Sequence, residues 1–390
     1  MNKIIYLDAA ASALKPDSVI NAEADFLYNS YANSGRGVCA RATAVDDMIS
    51  HVRDKVAEFI NAKSNQIVFT SGATDGLNRI VNILLSQPWY SSSSVVTVSD
   101  LDHHSARLPW EAALHNGKVH KMLRCELDEN MDIKIDAIPK TDFLIITAMS
   151  NVLGRAQDVQ KIIASARAKN PNVITIVDAS QYVVHHKIDV KKWDCDFLVF
   201  SGHKIGSDTG VGVLYIRDSE KYFPDKFGGG MVSSVGNINI ASKAEHGAWI
   251  YENEKDSCWV TESAPTKWEA GTLPLTQIVG LGVAIDELNK KRPDLDLIKY
   301  AYDELAKMEK IKVITSRDAA ILTFVVPDMH PLDIGALIGA KNICVRVGNM
   351  CASWIHKYLG VTGSVRISVG PWNTMDEIKQ TVDVIKQIVK

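Results

Sequence analysis

Phe197-Leu-Val-Phe-Ser-Gly-His-Lys204 decides how the rest of the chain reads. Its opening residues form an unbroken apolar run, the pattern of a strand covered on both faces. The strand ends at Ser201 and delivers His203 and Lys204 into a turn rich in Gly202, Gly206, Gly210 and Gly212. A lysine at the end of a buried strand is an odd choice for a purely structural residue. Desolvation there favours the neutral amine, the form that condenses with a carbonyl group. A solvent-facing lysine on a turn is the plain alternative for this octapeptide taken alone.

Working outward, the same texture recurs. Strand-like apolar runs fall at 66–70, 95–99, 143–147, 173–178, 197–201 and 212–216, with helical patterns at 74–85, 106–116 and 159–168. Such alternation predicts an α/β fold with a mostly parallel sheet between helices. Ligands of these sheets collect at the carboxyl ends of the strands. From about residue 275 the pattern changes to helices at 276–290 and 294–308, strands at 312–315 and 320–326, and a helix at 331–339. Strands near 343–347 and 365–369 and a closing helix at 375–389 complete a smaller α+β unit. Between the two, 228–264 is rich in Gly, Ser and Asn and reads as an extended, partly hairpin-like excursion.

Bulk composition narrows the function classes. With 390 residues and 46% apolar content, the chain can bury two or three structural units. Lys and Arg total 43 against 46 Asp and Glu, a formal charge of -3, which argues against a nucleic-acid surface or a polybasic membrane anchor. No apolar run approaches the roughly 20 residues of a membrane span, and the N-terminus lacks signal-peptide character. A cytoplasmic protein is expected. The six cysteines show no CxxC and no His/Cys cluster, so neither a structural metal site nor a disulfide framework is expected.

Four further stretches carry chemistry. Asp178 closes the strand-like Ile174-Thr-Ile-Val-Asp178, ahead of Ala179-Ser-Gln181. A helix cap is its plain role; beside a Schiff-base lysine, a buried carboxylate would instead keep a pyridine nitrogen protonated. Ile67-Val-Phe-Thr-Ser-Gly-Ala-Thr74 runs from strand through a small-residue turn into a helix start, where amides and the Thr74 hydroxyl suit a phosphate. Asp102-His-His-Ser105 offers an imidazole that could stack on a ring, although paired histidines are more often surface residues. Cys351 follows Gly348-Asn-Met350 in a loop after a strand, a setting that fits a nucleophile better than a core residue. Arg366, in Val365-Arg-Ile-Ser-Val369, could clamp a carboxylate with two parallel hydrogen bonds or serve as an interdomain ion pair.

Together these pieces resemble the class V aminotransferases among the fold-type-I pyridoxal-phosphate enzymes, and within them the group II (Suf-type) cysteine desulfurases and selenocysteine lyases. The likeness runs from Tyr6-Leu-Asp-Ala-Ala-Ala-Ser12 to the final helix. It is carried by Ser150-Asn-Val-Leu-Gly154, Asp178-Ala-Ser-Gln181, Ser201-Gly-His-Lys204, Trp268-Glu-Ala-Gly-Thr272 and the stretch from Arg346 to Arg366 around Cys351. The resemblance implies a seven-stranded, mostly parallel sheet in a large domain, 16–265, and a small α+β domain made of 1–15 and 275–390.

The resemblance also implies roles. Lys204 would hold pyridoxal 5'-phosphate as a Schiff base and later move protons. Asp178 would face the pyridine nitrogen, Gln181 the phenolic oxygen, and His103 would stack on the ring. Ala73, Thr74, Ser201 and His203 would form the phosphate cup, completed by Thr272 of a second subunit in a homodimer. Asn151 and Arg366 would hold the substrate carboxylate, with Arg36 and Arg346 as further contacts. Cys351 would take sulfur from L-cysteine as a persulfide, leaving L-alanine, and pass it to an acceptor protein. Its thiolate calls for an electropositive setting, to which Arg346 is a candidate contributor. The chain departs from the family pattern at Asn349-Met350, where two histidines are usual, at Lys267, where an arginine is usual, and at Leu273-Pro274. Its segment 228–264 is also longer than usual. Rival readings are a selenocysteine lyase, a C–S lyase or an aminotransferase-like enzyme on the same scaffold, and a catalytically silent scaffold protein. The sulfur's destination stays open between iron–sulfur cluster assembly, tRNA or cofactor thiolation and a specialised pathway.

Overall fold

The computed structural model describes residues 4–35, 37–237, 250–252 and 257–390. Strands are β1 (Ile5–Tyr6), β2 (Ile67–Thr70), β3 (Val95–Val98), β4 (Lys121–Arg124), β5 (Phe143–Thr147), β6 (Ile174–Asp178), β7 (Phe197–Ser201) and β8 (Gly212–Ile216). Then follow β9 (Val232–Asn237), β10 (Ile250–Glu252), β11 (Ser257–Thr261), β12 (Lys312–Val313), β13 (Leu322–Val325), β14 (Ile343–Cys344), β15 (Arg346–Gly348) and β16 (Ser364–Ile367). Helices are α1 (Asp17–Asp25), α2 (Ala40–Ile60), α3 (Ala73–Leu85), α4 (His104–His115), α5 (Val159–Lys169) and α6 (Tyr182–His185). The later ones are α7 (Val190–Trp193), α8 (Leu275–Lys290), α9 (Leu295–Leu305), α10 (Pro331–Gly339), α11 (Ser353–Tyr358) and α12 (Met375–Val389).

The central sheet has seven strands in the order β2-β8-β7-β6-β5-β3-β4. Only β8 runs antiparallel to its neighbours, so β2, β3, β5, β6 and β7 end at one edge. The reason the inner strands lie here is in their side chains: β5 and β7 are buried at every residue, as a sheet covered on both faces demands. The edge strand β4 is Lys-Met-Leu-Arg with both ends exposed, which explains why apolar patterning does not reveal it.

The longest helix, α2, also escapes a reading by mean hydropathy. Its Val45, Ile49, Val52, Val56 and Ile60 recur every three or four residues and are buried, while charged residues occupy the other faces. It stops at Asn61, in the left-handed region at φ 59°. Both α1 and α2 pack on α8.

A second core surrounds an antiparallel sheet in the order β12-β13-β16-β15. Ile5 and Leu7 of the N-terminal segment enter this core with residues of α9, α10 and α12. Helix α12 is opened by a capping box between Thr374 and Glu377. The predicted strand at 343–347 is two strands of different sheets: β14 pairs with β1, and β15 with β16. In the excursion, β9, β10 and β11 form an antiparallel three-stranded sheet. The parts of that excursion at 238–249 and 253–256 lie outside the described residues. Among the described residues no helix is long and apolar enough to cross a membrane, and no group of three or more His, Cys, Asp or Glu could hold a metal ion.

Candidate active site

The carboxyl edge of the large sheet gathers the predicted residues. Asp178 ends β6 and is buried, with one carboxylate oxygen accepting from the Ser180 amide at 2.9 Å. Ser201 ends β7, and its Oγ accepts from the Ala73 amide at 2.8 Å, at the start of α3. That junction is tight. A Cβ on Gly212 would stand 2.5 Å from the Cα of Gly72, and Gly72 itself has φ 152°. Glycine at both places lets β8 press against the first turn of α3. Thr74 remains exposed there.

Lys204 and Cys351 line one cavity of about 570 Å³, together with His103, Asn151, Gln181 and Arg366. Burial pulls the Lys204 ammonium down to about 8, while Asp178 opposes that shift and Arg366 reinforces it. Burial and the Lys204 charge lower His103 to about 4, leaving the ring neutral at ordinary pH. The His103 Nδ1 accepts from the Ser105 amide at 3.2 Å and caps α4. Burial likewise lowers His203 to about 4.

The turn that presents His103 is anchored by Asp102, which sequence reading passed over. Its buried carboxylate accepts from the amides of Ser99 at 2.7 Å and Thr147 at 2.8 Å, joining the ends of β3 and β5. Burial pushes this carboxyl up to about 8, against those two hydrogen bonds.

Arg366, 2% exposed, donates to the Asn151 carbonyl at 2.9 Å and to Asp8 at 3.2 Å. Desolvation lowers it to about 10, and Asp8 resists that shift. Arg346 lines the same cavity as Cys351. Asp8 accepts from its Nη2 at 2.5 Å and from its Nε at 3.3 Å. Asp8 is thus the shared anion between both arginines. Its place in Tyr6-Leu-Asp8 is no signal of that pairing, because the partners lie more than three hundred residues away.

Cys351 is exposed and sits in a loop between β15 and α11. Met350 and Cys351 have φ 52° and 53°. Each costs a residue with a Cβ roughly 1–2 kcal/mol. Asn151 Nδ2 donates to the Met350 carbonyl at 2.8 Å, and the His104 amide donates to the Cys351 carbonyl at 2.7 Å. Bonds of this kind contribute about 0.5–1.5 kcal/mol each, so the two offset part of the strain. Thr272 is exposed and does not line the cavity. Arg36 lies outside the described residues.

A largely parallel α/β sheet that brings a buried Asp178 and a desolvated Lys204 to one edge has the architecture of fold-type-I pyridoxal-phosphate enzymes. The chain belongs to the aminotransferase class-V family, whose model matches residues 5–381. It is 32% identical to a cysteine desulfurase of Enterobacter sp. over 402 residues, covering 99% of this chain and 93% of that protein. A cysteine desulfurase of Salmonella agona is 31% identical over 400 residues, with 99% and 93% covered. Among solved structures, apo cysteine desulfurase from Thermococcus onnurineus NA1 superposes with TM-score 0.87 at 28% identity, covering 100% of this chain and 95% of that one. The cysteine desulfurase CsdA (S-sulfonic acid) from Escherichia coli gives TM-score 0.85 at 30% identity, with 98% and 94% covered.

The family uses pyridoxal 5'-phosphate, and the residues present fit that group. The glycine-lined opening of α3 offers amides beside the Ser201 and Thr74 hydroxyls, the chemistry of a phosphate cradle. Buried polar atoms without a partner point the same way: Asn151 Oδ1, Gln181 Oε1 and Arg366 Nε. Buried polar atoms of this kind ordinarily have partners.

Proposed function

We propose that this chain is a pyridoxal-phosphate-dependent cysteine desulfurase that converts L-cysteine to L-alanine and takes the sulfur onto Cys351 as a persulfide. The observation that carries this reading is the shared cavity: a desolvated lysine and an accessible cysteine line the same space. The family relationship and the desulfurase relatives support it.

In this reading Lys204 would hold the cofactor, with Asp178 toward its pyridine nitrogen and Gln181 toward its phenolic oxygen. The His103 ring would lie against it, and Ala73, Thr74, Ser201 and His203 would receive its phosphate. When bound, pyridoxal phosphate supplies an electron sink for negative charge at the substrate α-carbon. Arg366 and Asn151 orient the cysteine carboxylate. The Lys204 amine, whose neutral form burial favours, accepts the α-proton at Nζ and later returns a proton to the product. The Cys351 thiolate attacks the substrate sulfur. A sulfur–sulfur bond forms as the carbon–sulfur bond breaks, and protonation at carbon completes alanine. Enzyme thiol plus cysteine thus becomes enzyme persulfide plus alanine. An acceptor thiol then removes the persulfide.

A homodimer is part of the proposal, because Thr272 stands exposed away from its own cavity, where it could complete the phosphate cup of a second copy. Cys39, Cys125, Cys195, Cys344 and Cys351 are free thiols, in keeping with a cytoplasmic setting. The division into a large domain, 16–265, and a small one, 1–15 with 275–390, belongs to the same reading.

The test is product stoichiometry. Purified holoenzyme given cysteine and a reductant should make alanine and sulfide in equal amounts, and Cys351→Ala should lose that activity while keeping the cofactor. Full alanine release by Cys351→Ala would favour a lyase instead.

A further inference from the structure

The Cys351 loop is held in place chiefly from one residue that the proposed chemistry leaves unused. The His104 amide donates to the Cys351 carbonyl at 2.7 Å. Its ring then reaches past the cysteine: His104 Nε2 accepts from the Ser353 amide at 3.1 Å and lies 3.1 Å from Ser353 Oγ. An Nε2 that accepts from an amide carries no proton, so the ring serves as a neutral acceptor. Burial lowers its affinity for a proton, against the Glu111 charge.

The contacts continue back to the cysteine. Asn349 Nδ2 donates to Ser353 Oγ at 3.1 Å, and Asn349 Oδ1 accepts from the Cys351 amide at 3.1 Å. His104, Ser353 and Asn349 therefore close a ring of hydrogen bonds around Cys351. Trp354 braces it, edge-on to the His104 ring at 5.2 Å with the Arg107 guanidinium 3.9 Å from its own centroid. Helix α4 begins at His104, directly after His103, whose ring lines the cavity. One helix start thus carries both the ring beside Lys204 and the anchor of the strained loop.

We infer that His104 is a positioning residue that locks the Cys351 loop onto the first turn of α4 and so sets where the Cys351 sulfur stands in the cavity. The inference rests on the reading of Cys351 as the sulfur acceptor.

Glutamine and asparagine separate reach from chemistry. A Gln side chain can bring an amide oxygen to the place of the imidazole Nε2, and Asn is too short. The comparison uses holoenzyme in a Cys39→Ser background, to remove another exposed thiol. Three quantities are read: the visible cofactor band, kcat and KM for cysteine, and the rate of iodoacetamide alkylation at Cys351 by peptide mass spectrometry. In His104→Asn, kcat should fall about tenfold, equivalent to about 1.4 kcal/mol, with KM within about twofold. Cys351 alkylation should change by at least about threefold, and the cofactor band should persist. His104→Gln should return kcat and alkylation to within about twofold of the parent. The inference is overturned if His104→Asn matches the parent in both kcat and alkylation, or if His104→Gln is as impaired as His104→Asn. Should His104→Asn not fold, Ser353→Pro carries the test, because it removes the amide donor at the first position of α11, where proline is tolerated, and parent-like kcat and alkylation there overturn the inference. Alkylation reports the loop whatever the chemistry, so this outcome is distinct from full alanine release by Cys351→Ala, which would remove the reading beneath it.

Discussion

Lys204 stands where a strand with no exposed residue runs out, whereas Cys351 stands on an exposed turn bent against the preference of its own backbone. The two face one cavity. The first is placed by a ladder: β7 is flanked by β6 and β8, so its end cannot shift without disturbing the sheet. The second is placed by side chains reaching in from Asn151, His104 and Asn349. In the proposed reading, a sheet edge suits a group that must stay covalently tied to a cofactor. A loop suits the proposed sulfur carrier, which would meet a substrate and then hand sulfur to an acceptor. The difference also says where substitutions should act: on cofactor capture at the strand ends, and on sulfur transfer in the loop.

The largest effect is expected at the strand end. Lys204→Ala should lower alanine formation by at least about a thousandfold, the scale of a lost acid–base group, and abolish the visible absorption band. A retained band would break the comparison by placing the cofactor elsewhere. Arg366→Lys should raise the KM for cysteine about tenfold and change kcat less, because an ammonium cannot reproduce the paired guanidinium bonds. Titration kinetics and a spectrum showing bound cofactor would separate this from loss of the site. A pH effect of similar size is expected at Lys204 itself. Burial places its amine at about 8, so it is protonated below that pH and neutral above it. Capture of pyridoxal phosphate by cofactor-free protein should therefore be about tenfold slower at pH 7 than at pH 9, following the neutral fraction. A flat profile in stopped-flow absorbance would contradict the assignment. The smallest effect is expected in the loop: Asn349→Ala removes two hydrogen bonds of an exposed side chain and should reduce kcat about threefold, with cofactor binding unchanged.

Much of the strand end was legible in the chain itself. An apolar run followed by Ser201-Gly-His-Lys204 marks a buried strand and its outlet, and Asp178 follows the same grammar. The loop was legible only in part. Cys351 could be read as accessible, and Arg346 does line its cavity, but the pairing of Arg346 with Asp8 could not be read. That ion pair joins residues 338 positions apart, and no local pattern encodes it. The anchoring role of His104 is hidden for the same reason, since Ser353 lies 249 residues away in the sequence. Helix α2 and strand β4 were missed on different grounds. In α2 a narrow apolar face is diluted by charges, and β4 is an edge strand with little to bury.

Mass spectrometry of Cys351 after a single turnover tests the central claim most directly. Holoenzyme mixed with one equivalent of cysteine, then quenched with an alkylating agent, should carry one additional sulfur on the peptide containing Cys351, in step with the alanine formed. Alanine appearing in full while that peptide gains no sulfur would contradict the account.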